Sequence, residues 1–336
     1  MITANRQLAQ PLPPRWQQLW REAVTDPHEL LRLVGLERQA GQLLPGDDAG
    51  FPLRVPRGFI ARMRAGDPAD PLLLQVLPRA AESLPQPGFV PDAVGDTAAR
   101  SAHGVLQKYA GRALLIATGS CAVNCRYCFR RHFPYADETA ATNCWREAVA
   151  AIRADAGIGE VILSGGDPLS LSDAKLAQLG HALVGIPHVR RLRIHTRLPV
   201  VLPERVDTGL TAWLAALPLQ KVVVLHANHA NEFDASVDAA CARLHEAGCT
   251  LLNQAVLLRG INDEAATLAG LSERSFAAGV LPYYLHQLDR VLGAAHFEVP
   301  DAEALALLEA LRCRLPGYLV PRLVREVAGE PSKSPL

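Results

Sequence analysis

Cys121-Ala-Val-Asn-Cys125-Arg-Tyr-Cys128-Phe-Arg130-Arg131-His132 places three thiols within eight residues, close enough to close around one metal centre. The CxxxCxxC spacing suits a [4Fe-4S] cluster in which three irons take protein thiolates and the fourth keeps a position open. A four-cysteine ferredoxin has no such free position, and its spacing differs. Two other readings fit the same residues: His132 can complete a Cys3His zinc site, and three cysteines can pack as small hydrophobes.

Outward from this stretch the chain alternates short apolar runs with helical periods. Strands are expected at 113–118, 160–163, 189–194, 221–225, 250–256 and 281–285. Helices are expected at 144–155, 172–184, 206–217, 235–247, 263–278 and 301–315. Six β/α units in succession imply a parallel sheet, either doubly wound or curved into a partial barrel. The polar motifs favour the barrel, because each expected strand ends in one. The cysteine stretch follows the first, Ser164-Gly165-Gly166-Asp167 the second, His195-Thr196-Arg197 the third and His226-Ala-Asn228-His229 the fourth. Gln254 sits late in the fifth, and His286-Gln-Leu-Asp289 follows the sixth. In a β/α barrel the strand C-termini meet at one face, where the chemistry sits. The expected fold is therefore an α/β protein, a six-stranded partial (β/α)6 TIM-like barrel over 105–315. It carries an N-terminal helical extension and linker at 1–104 and a C-terminal segment at 316–336.

In the N-terminal part, residues 16–24, 26–36, 59–63 and 72–77 read as short helices, and 84–96 as a Pro/Gly-rich linker. Asp26, Pro27 and Glu29 form a helix start with a capping box. No catalytic constellation is visible here, so a lid, a cap or an oligomer contact is the expected role.

Lys and Arg number 34, as do Asp and Glu, so the net charge of zero argues against a partner held mainly by a nucleic-acid backbone or an anionic membrane. Seven cysteines with one tight triplet do not resemble a secreted disulfide scaffold. With no signal-like N-terminus and no run of about 18 apolar residues, a soluble, cytoplasmic protein is expected. The lysines are Lys108, Lys175, Lys221 and Lys333 alone, which leaves four candidates for lysine-specific chemistry.

CAVNCRYC followed by SGGDP resembles the radical S-adenosylmethionine superfamily. LQKYAGRALL, CRYCFRRHFPY, RLRIHTRLPVVLP, NHANE, LLNQAVLLRGIND, PYYLHQLD and GAAHF narrow the resemblance to the lysine 2,3-aminomutase family. The resemblance implies that Cys121, Cys125 and Cys128 hold a [4Fe-4S] cluster and that the turn Ser164, Gly165, Gly166 and Asp167 receives the methionine end of S-adenosyl-L-methionine. His226, Gln254 and Tyr127 would line the same ligand. It further implies pyridoxal 5'-phosphate, held as a Schiff base by Lys333 in GEPSKSPL, with Lys108 and Arg112 near its phosphate. Arg130 would meet the carboxylate of an L-lysine substrate and Asp289 its distal ammonium. The family's second aspartate corresponds to Glu326, a departure that leaves this residue's role open.

HFPY, GAAHF and GEPSKSPL, with VTDPHELLRLVGL near the N-terminus, resemble the branch acting in elongation factor P modification. That likeness implies an (R)-β-lysine product for a lysyl-tRNA-synthetase-like ligase; the radical chemistry calls for an electron donor such as flavodoxin or ferredoxin, and a homo-oligomer is one assembly the sequence leaves open. Two alternatives stand beside it: an aminomutase for free lysine or another amino acid in metabolism, and a zinc-stabilised binding protein without turnover.

Overall fold

The computed structural model describes residues 14–46, 50–140 and 145–336. Its frame is one sheet of ten strands lying in sequence order. They are β1 (Arg100–Ala102), β2 (Val105–Leu106), β3 (Arg112–Thr118), β4 (Glu160–Gly165) and β5 (Arg191–Thr196), then β6 (Gln220–Leu225), β7 (Cys249–Val256), β8 (Leu281–His286), β9 (Arg322–Arg325) and β10 (Ser334–Pro335). From β3 to β9 every neighbouring pair is parallel. The pairs at either end of the sheet are antiparallel. The order never reverses, whereas a doubly wound sheet is defined by a reversal. Parallel strands in this order bring their C-terminal ends to one edge.

All six expected strands are present, but the parallel run has a seventh member. Arg322–Arg325 pairs with β8 through Tyr284↔Arg322 and His286↔Val324. Four residues with two charges and Pro321 ahead of them carry too little apolar pattern to be read as a strand; the pairing comes from the groove left beside β8. β4 is buried along its whole length, as a central parallel strand covered on both faces should be.

The expected helices between the strands are found at Arg146–Ala154, Asp173–Val184, Thr208–Ala216, Ala235–Glu246, Ala265–Ala277 and Asp301–Arg312. Cys144, where the first of these was expected to begin, lies outside the described residues. Ser172, Asp207 and Asp234 cap their helices by accepting from backbone N–H groups of the first turn. No helix of the described residues is long and apolar enough to cross a membrane.

The N-terminal helices are shorter than expected, at Arg15–Arg21, Pro27–Leu33, Arg57–Ile60 and Pro71–Leu74. Asp26 caps the second through the His28 N–H, but Glu29 turns away from a capping box to pair with Arg57 at 2.5 Å. Leu30, Phe59, Leu72 and Leu73 join the same apolar cluster as the strand residues Leu115, Leu163 and Val223. The N-terminal region is thus packed into the core beside the strand ends.

Candidate active site

The cysteine loop leaves β3 and is fastened from two sides. On one side lies the turn after β4. The Gly166 N–H donates to the Thr118 carbonyl at 2.7 Å and the Asp167 N–H to the Ser120 carbonyl at 2.8 Å. A Cβ at Gly165, whose φ is +117°, would stand 2.4 Å from the Thr118 carbonyl oxygen, and one at Gly166 would stand 2.5 Å from that of Ser120. The two glycines are required because backbone lies against backbone. The turn that the resemblance gives to the methionine end of a ligand also holds the cysteine loop through its two amides, and the Gly165 carbonyl accepts from the Tyr135 hydroxyl at 2.7 Å.

On the other side lies the N-terminal region. The Asn124 N–H donates to the Arg54 carbonyl at 3.0 Å and the Arg126 N–H to the Gln75 carbonyl at 2.9 Å. Arg126 is fully buried and meets Glu82 at 2.8 Å; Arg131 meets the same carboxylate at 2.8 Å. One buried acid therefore pairs with two arginines, Arg126 between Cys125 and Cys128 and Arg131 just beyond Cys128, and leaves one net positive charge beside the thiols.

Cys121, Cys125 and Cys128 open onto a cavity of about 660 Å³. Burial, reinforced by the neighbouring thiols, pushes Cys121 well above its ordinary value and Cys128 up to about 11. Two thiols that resist ionisation at one wall call for a positively charged centre to compensate them, which is what iron provides. Among the described residues no His, Cys, Asp and Glu side chains converge as a single ion's ligands do. His132 is directed instead at the Leu292 carbonyl, 3.2 Å away, and does not line the cavity. The donor set fits a cluster, whose thiolates attach to separate irons, better than a Cys3His zinc site.

The strand ends supply the remaining wall. His195, His226 and His286 each leave Nε2 buried without a partner among the described residues, and Gln254 leaves Oε1 so; all four line the cavity. Burial lowers His226 to about 4 and holds His195 and His286 well below the ordinary imidazole range, so all three are neutral near pH 7. Orphaned polar atoms in a folded chain call for an occupant with matching donors and acceptors. Tyr127 also lines the cavity, but its hydroxyl accepts from Asn228 Nδ2 at 2.7 Å and its ring meets Phe297 edge-on at 6.3 Å.

Asp167 differs from its expected role. Its carboxylate accepts from the Leu169, Arg197 and Leu198 N–H groups and from the Thr196 hydroxyl, at 2.7 to 3.0 Å. With both oxygens so occupied, it ties the turn after β4 to the end of β5 and is not a free acceptor for a ligand.

The C-terminal segment completes the cavity. Lys333 forms an ion pair with Glu326 and lies 5.8 Å from the centre of the Tyr284 ring. Glu326 also reaches Lys108 at 3.3 Å, Lys108 meets Asp96 at 2.7 Å, and Asp96 meets Arg130 at 2.6 Å. Arg130 Nη1 donates to the Ser164 hydroxyl at 2.9 Å. Burial opposes ionisation of Glu326, but Lys333 and Lys108 outweigh it and keep its carboxyl below the ordinary value. Lys108, expected near a phosphate, is therefore taken up by two carboxylates and the Val94 carbonyl. Arg112 has no ion pair among the described residues; it lies over Tyr109 at 4.9 Å and lines the cavity. Asp289 lines it as well, with no donor of the described residues on its carboxylate, and burial pushes it up to about 7.

The Radical SAM superfamily model matches residues 115–269, from β3 into the helix before β8. An L-lysine 2,3-aminomutase of Escherichia coli (strain K12) is 50% identical over 323 residues, covering 96% of this chain and 94% of that protein. The chain belongs to the lysine 2,3-aminomutase family. This is a family of isomerases within the radical S-adenosylmethionine superfamily, and membership implies a [4Fe-4S] cluster and S-adenosylmethionine. An L-lysine 2,3-aminomutase of Haemophilus influenzae is 46% identical, covering 95% of this chain and 94% of its own length. One from Clostridium subterminale is 32% identical, covering 96% of this chain and 77% of its own length. For this family member the structure adds Gln75, Glu82 and Asp96, which sequence reasoning missed. Gln75 lies in the expected helix 72–77, Glu82 between that helix and the expected linker, and Asp96 at the linker's end; only their near-complete burial beside the cysteine loop marks them.

Proposed function

We propose that this enzyme converts L-α-lysine to (R)-β-lysine with pyridoxal phosphate on Lys333, and that the product serves elongation factor P modification. The observation that carries the reading is one cavity lined by the three thiols, Arg130, Asp289 and Lys333. Its volume of about 660 Å³ lies within the range of ligand-binding cavities. When bound, cluster and S-adenosylmethionine supply a radical that takes hydrogen from an unactivated carbon, and pyridoxal phosphate supplies a carbonyl that carries an amino group between carbons.

The chain's own residues bind and orient. Arg130 is fixed by Asp96 and Ser164 through Nε and Nη1, so Nη2 is left for the substrate carboxylate. Glu326 holds the Lys333 ammonium inside the cavity, and the distal ammonium of lysine falls to Asp289. Arg112, a cation with no ion pair among the described residues, suits a phosphate. His226 and Gln254, whose polar atoms have no partner among the described residues, suit the polar edge of S-adenosylmethionine, and Tyr127 lines the same cavity. The same reading has the strand ends curving as a partial barrel over 105–315, with 1–104 clamping the cysteine loop and 316–336 delivering Lys333.

HFPY, GAAHF and GEPSKSPL support the elongation factor P branch, which brings with it a lysyl-tRNA-synthetase-like ligase as consumer of the product and a cytoplasmic setting. A flavodoxin or ferredoxin would supply the electron. The test is anaerobic incubation of cluster-loaded protein with dithionite, S-adenosylmethionine, pyridoxal phosphate and L-lysine, followed by chiral analysis. (R)-β-lysine is expected. An (S) product would move the enzyme to free-lysine metabolism, and cleavage of S-adenosylmethionine without rearrangement would refute lysine as substrate.

A further inference from the structure

Arg197 follows β5 directly and is 7% exposed in its side chain. Its Nη1 donates to the Cys125 Sγ at 2.7 Å and to the Tyr127 hydroxyl at 2.6 Å. Its Nη2 donates to Gln75 Oε1 at 2.6 Å and to Glu232 Oε2 at 2.9 Å. The anchors are themselves held. Glu232 is fully buried and accepts through Oε1 from the Asn228 N–H at 2.7 Å and from Gln75 Nε2 at 3.1 Å. The Arg197 N–H donates to Asp167 at 2.7 Å, so its backbone is tied to the turn that grips the cysteine loop. The fork has no room to follow a sulfur that moves; the sulfur must come to the fork.

We propose that Arg197 is a positioning residue for the iron–sulfur centre, fixing the Cys125 thiolate and raising the centre's reduction potential. Reduction adds one electron, delivered by an external low-potential donor, and takes a [4Fe-4S]2+ core to [4Fe-4S]+ with no bond formed or broken. The added negative charge lies beside a guanidinium in a water-poor wall, where hydrogen bonds to sulfur and local charge are the levers on potential. Glu232 offsets part of the positive charge, but it meets Nη2, whereas the sulfur meets Nη1. The reduced state therefore gains more from the fork than the oxidised state does. Gln75 makes the N-terminal region part of this arrangement, since its side chain anchors Arg197 and its carbonyl anchors Arg126. The inference rests on the cluster of the family and not on lysine as substrate.

The experiment is a mediated redox titration of the cluster-loaded protein without lysine, followed by electron paramagnetic resonance. The variants are Arg197→Lys and the double variant Arg197→Gln with Glu232→Gln, which removes both charges and strands neither. A more negative midpoint is expected for the double variant, with Arg197→Lys between it and the native protein. Native midpoints in both loaded variants would overturn the proposal, and the outcome leaves the lysine reading untouched. Should the double variant fail to load, the native protein decides. Arginine labelled with 15N only in its guanidinium is expected to show a weak nitrogen coupling to the reduced centre, which Arg197→Lys removes. Absence of that coupling in the native protein would overturn the proposal equally.

Discussion

Asp289 offers a prediction in which sign and size both follow from the cavity. Burial pushes its carboxyl from 3.8 up to about 7, a bias of roughly 4 kcal/mol toward the neutral acid. Without ligand, the folded chain holds a proton here that the unfolded chain releases, so this group's contribution to stability falls as pH rises from about 4 to 7 and stays low above. A bound ammonium reverses the preference, because only the carboxylate forms a charge-assisted pair with it. Affinity for a ligand bearing that ammonium should be level above pH 7 and fall ~tenfold per unit below it, as a proton must first be lost. The assay is equilibrium binding of L-lysine and of L-norleucine, which lacks the distal nitrogen, to unreduced holoenzyme from pH 5.5 to 8.5. The ratio of the two affinities cancels the ionisations at the shared α end. The native ratio should drop more than tenfold between pH 7 and 5.5, and Asp289→Asn should make it small and flat. A pH-independent native ratio, or a sloping ratio in the variant, would refute the assignment of the ammonium to Asp289.

Three further outcomes rest on contacts around the cysteine loop. Cys121→Ala should leave the fold intact but lose the iron content and the visible absorbance of reconstituted protein along with turnover; lysine rearrangement by an iron-free variant would sink the cluster assignment. Gly166→Ala forces a methyl group to 2.5 Å from the Ser120 carbonyl, with the Gly119 carbonyl carbon at 2.7 Å. Backbone must yield, at about 1–3 kcal/mol, and iron loading should fall with it; denaturant unfolding and iron analysis of the same sample check both. Glu82→Ala leaves Arg126 and Arg131 buried without their shared carboxylate, which should cost about 3–5 kcal/mol. A denaturation midpoint equal to the native one would show that the clamp on the cysteine loop lies elsewhere.

What could be read from the sequence was what is contiguous or periodic. The three thiols, the two glycines and the strand-end histidines sit within a few residues of a strand whose apolar run announces it, so parallel strand order alone gathers them. Asp96 gave no such signal, because a carboxylate in a Pro/Gly-rich stretch looks solvated until its partners are known. Those partners, Lys108 and Arg130, come from either side of β3. Lys108 was misjudged for the same reason. The acid that takes it up besides Asp96 lies 218 residues away, and no local pattern encodes that meeting. Asp167 was legible as a site residue but not as a fully bonded one, since that depends on two amides just beyond β5 and one from its own turn.

The chain of ion pairs through these residues explains how one cavity can favour both ends of an amino acid. Lys333, Glu326, Lys108, Asp96 and Arg130 alternate in sign and leave one net positive charge, to which Arg112 adds another. An entering carboxylate or phosphate therefore meets a cationic surplus without any pair having to break. An entering ammonium meets the opposite situation, because Glu326 and Asp96 are already held by lysines or arginine. On the proposed function it falls to Asp289, which lines the cavity with no ion pair among the described residues. Replacing the family's shorter aspartate by Glu326 fits this division, since the longer side chain spans Lys333 and Lys108 together. On the proposed function, an anion thus meets a network of several cations, whereas a distal ammonium meets one carboxylate.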